Sequence, residues 1–213
     1  MKKIAIIGAG GFGREVKMLI DQININDQEY EILGFYDDAI AKGLIVNGYK
    51  VHGIINELLR IEYQLSVVIA IANPAIKKYI YTHLSDNPNL IFPTLIHPNV
   101  LLGSDNVTIG MGCIICALNI ITINVTIGNF VTLNFKCSVA HDTIIGDFCS
   151  VMPGVCISGD VTLKDLVYIG TGASITNLIT VGYASTVGAG VTVSKNLLDN
   201  SKLIGVPPKI FSN

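Results

Sequence analysis

Of the four histidines, His141 is the one followed directly by an acid, in the run Ser138-Val139-Ala140-His141-Asp142. An imidazole titrates near neutral pH and is the commonest general base. A carboxylate beside it can orient the ring or stabilise its cation, so the pair suggests proton abstraction from a nucleophile. Eighteen residues on stands Gly159, in Ile157-Ser158-Gly159-Asp160. A glycine lets the chain approach a ligand closely and exposes its N–H. The plainer alternatives are a surface histidine and a turn glycine. His52, in a Val-His-Gly loop, offers a possible substrate contact. His83, late on a helix, reads as solvated, and His97, before Pro98, as structural.

A second constellation lies near the start. Gly8-Ala9-Gly10-Gly11-Phe12-Gly13 fits G-x-G-x-x-G between a short apolar strand and a helix, and Asp37 follows 24 residues after Gly13. Taken alone this pattern suggests NAD. The module around it is too short for a full two-half dinucleotide fold, and no hydride-transfer constellation follows. Asn73 falls at the C-terminal end of the strand Ser66–Ala72, where ligands bind in open parallel sheets.

The elements that position these residues fall into two parts. Residues 1–92 alternate strands (Lys3–Ile7, Glu31–Tyr36, Ser66–Ala72) with helices (Glu15–Ile20, Asn56–Ile61, Pro74–Leu84), which predicts a small parallel sheet with helices on its faces. From about Pro93 the period changes. Val107-Thr108-Ile109-Gly110 returns at 18-residue intervals, as at Val125–Gly128 and Thr143–Gly146. Every sixth residue from Ile109 to Val193 is aliphatic, fifteen in all. This is a hexapeptide β-helix pattern, with three hexads to a triangular coil and the aliphatic row inside. Cys113, Cys137 and Cys149 fall two residues before members of that row and read as small buried hydrophobes. Cys113 and Cys116 form a C-x-x-C without further zinc-site ligands, and no metal is expected.

At this point the sequence resembles the left-handed β-helix sugar acetyltransferases, the group of bacillosamine and perosamine N-acetyltransferases and sialic acid O-acetyltransferases. The hexad row and the preceding Gly-rich module carry the resemblance. It implies an α/β Rossmann-like nucleotide-sugar-binding module, residues 1–92, followed by an all-β left-handed parallel β-helix with a C-terminal cap, residues 93–213. It further implies acetyl-CoA as donor and a homotrimer with the cofactor between solenoids. His141 and Asp142 correspond to the family's catalytic base and its acid, and Gly159 to the N–H that meets the thioester carbonyl. Asn134 matches a position near the acceptor and acetyl group. Gly10 and Gly11 pack on the nucleotide, and Asp37-Asp38 correspond to the acidic pair near base and ribose. Thr171, Gly188 and Ala189 match pantetheine contacts, and Pro207 and Lys209, in Gly205-Val206-Pro207-Pro208-Lys209, a coenzyme A contact. Many members carry a second histidine nine residues after the base. Ser150 stands there in this chain, where it could still meet the acceptor or a water.

The expectation is an N-acetyltransferase acting on a nucleotide-linked 4-amino-4,6-dideoxysugar. The rivals are a sugar O-acetyltransferase, a non-catalytic nucleotide-binding or assembly protein, and an NAD enzyme. Composition narrows the field further. Half of the 213 residues are hydrophobic, 14% are charged, and the net charge is -2. These values exclude intrinsic disorder and argue against nucleic-acid binding, which needs a basic surface. No apolar run reaches the ~20 residues of a membrane span, and no signal-peptide h-region is present, so a cytoplasmic protein is expected. Residues 93–193 hold only seven charges. A soluble solenoid with so bare an exterior should pack against copies of itself.

Overall fold

The structure, a computed structural model, describes residues 1–205. The N-terminal module contains β1 (Lys2–Ile7), α1 (Gly11–Asp27), β2 (Tyr30–Tyr36), β3 (Ile45–Val46) and β4 (Tyr49–Gly53). A 3-10 helix (Ile55–Arg60), β5 (Leu65–Ile69), α2 (Pro74–Leu84) and β6 (Leu90–Ile91) follow. Its sheet has the order β3-β4-β2-β1-β5-β6, parallel except for the β3–β4 hairpin. Ile4 to Ile7 are fully buried, as expected of a central strand covered on both faces. α1 is longer than the apolar pattern suggested. The β3–β4 hairpin is an addition to that pattern, turning on Asn47 and Gly48, both at positive φ. His52 lies in β4 rather than in a loop, and its Nε2 is 3.0 Å from the Leu33 carbonyl oxygen.

The rest of the described chain winds as a triangular prism of two-residue strands. The first face runs from Leu95–Ile96 through Thr132–Leu133 and Ser150–Val151 to Lys202–Leu203, seven strands in all. The second has six, from Leu101–Leu102 to Thr192–Val193, and the third five, from Thr108–Ile109 to Thr180–Val181. All pairings on these faces are parallel, and between Thr108 and Val193 partners are 18 residues apart, while Lys202–Leu203 closes the first face 16 residues after its partner. The aliphatic row and the three inward cysteines form the core. A second six-residue row sets the corners: residues at positive φ recur from Asn106 through Leu118, Lys136 and Asp142 to Gly190. An additional coil precedes Ile109. Ile96 pairs with Ile115, one residue out of phase, so the row searched from Ile109 misses it.

The module sits on the first face. Ile114 and Cys116 join the core beneath β1 and α1. On the other side Tyr81 and Phe92 meet Phe130 and Phe148, whose rings stack 5.2 Å apart. No helix among the described residues is long and apolar enough to cross a membrane.

Candidate active site

His141 emerges just after Ser138–Val139, at the corner joining the second and third faces. Asp142 takes the positive-φ position of that corner, φ 58°. The turn sets the two side chains together, with Nδ1 of His141 2.8 Å from Oδ2 of Asp142. With the Nδ1 proton donated to the carboxylate, Nε2 keeps its lone pair and can accept a proton, as a base requires. Both side chains are about half exposed. The His141 hydrogen bond, and then that from Asn124, hold the Asp142 carboxyl below the usual carboxylate range. Asn124 Nδ2 donates to Asp142 Oδ1 at 2.9 Å, and Asn106 Nδ2 donates to Asn124 Oδ1 at 3.0 Å. This ladder climbs one coil at a time to brace the acid. Asn124 and Asn106 are additions to the sequence reading, although they stand 18 and 36 residues before Asp142, one and two coil repeats.

Gly159 lies one coil above His141. A β-carbon on Gly159 would run into the imidazole ring, so only glycine leaves His141 its place. The Gly159 carbonyl accepts from Leu178 N, while its N–H makes no hydrogen bond to the described residues. A free donor thus stands beside the base. Asp160, also missed in the sequence, donates its N–H to the His141 carbonyl. Donor atoms of His141, Asp142 and Asp160 lie within 4.8 Å of one another. All three are exposed, unlike the ligands of a closed structural metal site.

The other solenoid residues lie elsewhere. Asn134 follows Thr132–Leu133, at the corner between the first and second faces. It is buried, and its Oδ1 accepts from Phe135 N at 2.8 Å. Thr171, Gly188 and Ala189 stack above it at the same corner, Thr171 accepting from Gly190 N and Gly188 donating to Leu203 O. One chain therefore places Asn134 and these upper-coil residues along one edge of the second face, and His141 with Gly159 along the other. Pro207 and Lys209 lie outside the described residues.

Ser150 departs from expectation. It is fully buried beneath α2, and its Oγ accepts a hydrogen bond from Lys77 Nζ at 3.0 Å. It cannot touch an acceptor or a bulk water. Burial also pushes the thiols of Cys113 and Cys137 up to about 11, and those of Cys116 and Cys149 to about 12, which leaves them without thiolate character at neutral pH. Cys156 is exposed on the second face. His83 is exposed and meets Asn56 Oδ1 at 2.9 Å, and His97 Nδ1 accepts from Asn99 N.

In the module, the Gly-rich loop and the β5–α2 connection lie at the C-terminal ends of β1 and β5. The two strands run parallel, and the strand order reverses between them, β2 being added on one side of β1 and β5 on the other, the point where open α/β sheets bind ligands. Gly13 is tight, because a β-carbon there would overlap the Gly8 carbonyl. Gly10 and Gly11 instead border open space before the unpaired N–H groups of the first turn of α1. Asp37 lies beneath this loop, its carboxylate accepting from Ala9, Ala39 and Ile40 N–H at 2.7 to 3.0 Å. It supports the loop. Asp38 is exposed, accepts from Ile55 N, and borders a cleft of about 430 Å³ with Ile54, Tyr79 and His83. Asn73 caps α2 through Ile76 N and borders a cleft of about 550 Å³ shared with Tyr168 and Thr186 of the first face.

Residues 3–84 match the family model described as the PglD N-terminal domain. The chain is 35% identical over 151 residues to a GDP-perosamine N-acetyltransferase of Escherichia coli O157:H7, covering 70% of this chain and 66% of that protein. The acetyltransferase domain of PglB from Neisseria gonorrhoeae, solved in complex with acetyl coenzyme A, superposes with a TM-score of 0.86 at 30% identity, over 99% of each chain. The chain belongs to the acetyl-CoA-dependent sugar N-acetyltransferases of the left-handed β-helix family. PerB of Caulobacter crescentus, solved with CoA and GDP-perosamine, adds a further member of this fold, at 27% identity and a TM-score of 0.84 over 100% of this chain and 98% of that one. The enzyme thus carries a Rossmann-like module and a β-helix that together span the described chain.

Proposed function

We propose that the enzyme transfers the acetyl group of acetyl-CoA to the amino group of a nucleotide-linked 4-amino-4,6-dideoxysugar, with His141 as general base. The observation that carries this reading is the juxtaposition of the His141–Asp142 pair with the free N–H of Gly159. The sugar amine attacks the thioester carbonyl while Nε2 of His141 takes its proton. Asp142 stabilises the imidazolium, and the Gly159 N–H meets the developing oxyanion. The carbon–sulfur bond then breaks, and the thiolate of coenzyme A leaves with the proton returned from His141. No acyl-enzyme is needed, since the buried thiols are held protonated. Gly10 and Gly11 receive the diphosphate, supported by Asp37 from below, with Asp38 and Asn73 at the clefts on either side. Thr171, Gly188 and Ala189 line the pantetheine path, and Asn134 stands near the acetyl group.

The layout supports assembly as a homotrimer. The module covers the first face, whereas His141 stands at the opposite corner, so one chain does not bring its own Gly-rich loop to its own base. A neighbouring copy supplies the missing half. The second face, between the two edges that carry the site residues, presents Ser138, Cys156, Ser174 and Thr192, with Leu101 and Ile120 exposed below. No charge interrupts that row.

The test is release of free coenzyme A from acetyl-CoA in the presence of UDP-, dTDP- or GDP-linked 4-amino sugars, compared with sialic acid. Release with an amino sugar supports the reading. Release with the hydroxyl acceptor alone would make the enzyme an O-acetyltransferase.

A further inference from the structure

Among the described residues Lys77 is the one charged residue buried completely, at 1% exposure. It lies one turn into α2 and reaches across the boundary between module and solenoid. Its Nζ donates to Thr132 Oγ1 at 3.1 Å, to the Cys149 carbonyl at 3.2 Å and to Ser150 Oγ at 3.0 Å. Three donors thus meet three acceptors. None is a carboxylate, and burial pulls the Lys77 pKa down to about 7.

Such a group is a poor way to gain stability, because taking a cation from water without a counter-ion is costly. The apolar adhesion of α2 is already provided by Tyr81 against Phe130 and Phe148. These tilted ring contacts are non-directional and tolerate sliding, whereas three directed hydrogen bonds fix a register. The positions they join are informative. The Lys77 backbone N–H donates to the carbonyl of Asn73 at 2.9 Å, in the capping turn that borders the 550 Å³ cleft. Thr132 stands two residues before Asn134, on the same first-face strand turn.

We propose that Lys77 is a positioning residue that locks the substrate edge of the module, through Asn73, in register with the Thr132–Asn134 segment of the solenoid. The role rests on the nucleotide-sugar reading above for its kinetic consequence, but not for its structural one. Lys77→Met preserves the stem and removes the ammonium. Thr132 and Ser150 are directly opposite in a parallel pair, so their hydroxyls can then bond each other.

The experiment compares wild type, Lys77→Met and the Thr132→Val/Ser150→Ala pair in the full-length enzyme, by steady-state kinetics and by crystal structures aligned on the solenoid. The expected result for Lys77→Met is a KM for the nucleotide sugar raised about tenfold, as for a displaced positioning group, with the acetyl-CoA KM unchanged. The start of α2 should shift along the first face. Adding Lys77→Met to the Thr132/Ser150 pair should raise that KM no further than Lys77→Met does alone. An unchanged KM with α2 in place, or a proportional loss in every kinetic constant, would overturn the proposal. If the wild type acetylates no amino sugar, the functional reading fails by itself, and the α2 position still decides the role of Lys77.

Discussion

The imidazole of His141 occupies the space that a β-carbon on Gly159 would need. The base and the candidate oxyanion donor, one coil apart, are therefore mutually dependent. The histidine can stand where it does because the residue above it has no side chain.

Gly159→Ala tests this directly. Alanine keeps the N–H but displaces the ring, and misplacing a catalytic group by about 1 Å costs on the order of 10²-fold in rate. We expect kcat/KM to fall by about that factor, with the circular dichroism spectrum and Tm near wild type, since the site is a surface corner.

Asp142→Asn removes the charge that supports the imidazolium. Loss of about 10² to 10³ in kcat is expected, in the range of general-base contributions. Asn124→Ala, one step further down the ladder, should cost only a few-fold. Equal losses for the two substitutions would show that the ladder matters for folding and not for the carboxylate.

The buried titratable groups give stability an unusual pH profile. The folded pKa of Lys77 is lowered from 10.5 to about 7, so above pH 7 the unfolded chain holds the extra proton and stability rises with pH. The thiols of Cys113, Cys116, Cys137 and Cys149 are raised from 9.0 to about 11 or 12, so above pH 9 the unfolded chain loses protons first and stability falls. Tm should climb from pH 7 to a maximum between pH 8 and 9, then decline. Lys77→Met should abolish the climb and keep the decline. Thermal melts across that range decide the point.

If the active site joins two copies, inactive chains should complement each other. His141→Ala chains lack the base, and Gly11→Asp chains repel the diphosphate. Co-assembled at equal amounts, they should recover roughly a quarter of wild-type activity, the fraction of heterologous contacts that pair an intact base with an intact loop. No recovery in verified mixed oligomers would place both halves of the site within one chain.

The sequence made the solenoid legible because its signal is redundant: fifteen aliphatic positions report one interior. The first coil escaped because Ile96 is out of phase with that row. The His141–Asp142 pair and Gly159 were legible because the coil repeat converts an 18-residue spacing into vertical adjacency. The same spacing leads to Asn124 and Asn106. What stayed hidden depends on contacts between parts with different periods. Ser150 looked available because the resembling family carries a histidine at that position, and only the docking of α2 shows that Lys77 covers it. Asp37 looked like a ribose ligand from its distance to Gly13. The fold instead turns its carboxylate under Ala9, where it holds the loop.

The central claim is that His141 accepts the proton of a sugar amine as acetyl leaves coenzyme A. Its most direct measurement is the rate of coenzyme A release with a nucleotide-linked 4-amino sugar, for wild type and His141→Ala, with acetyl-CoA binding checked by calorimetry. The account predicts turnover by wild type and a loss of about 10³-fold or more in the variant, with donor affinity kept. Full turnover by His141→Ala would contradict it.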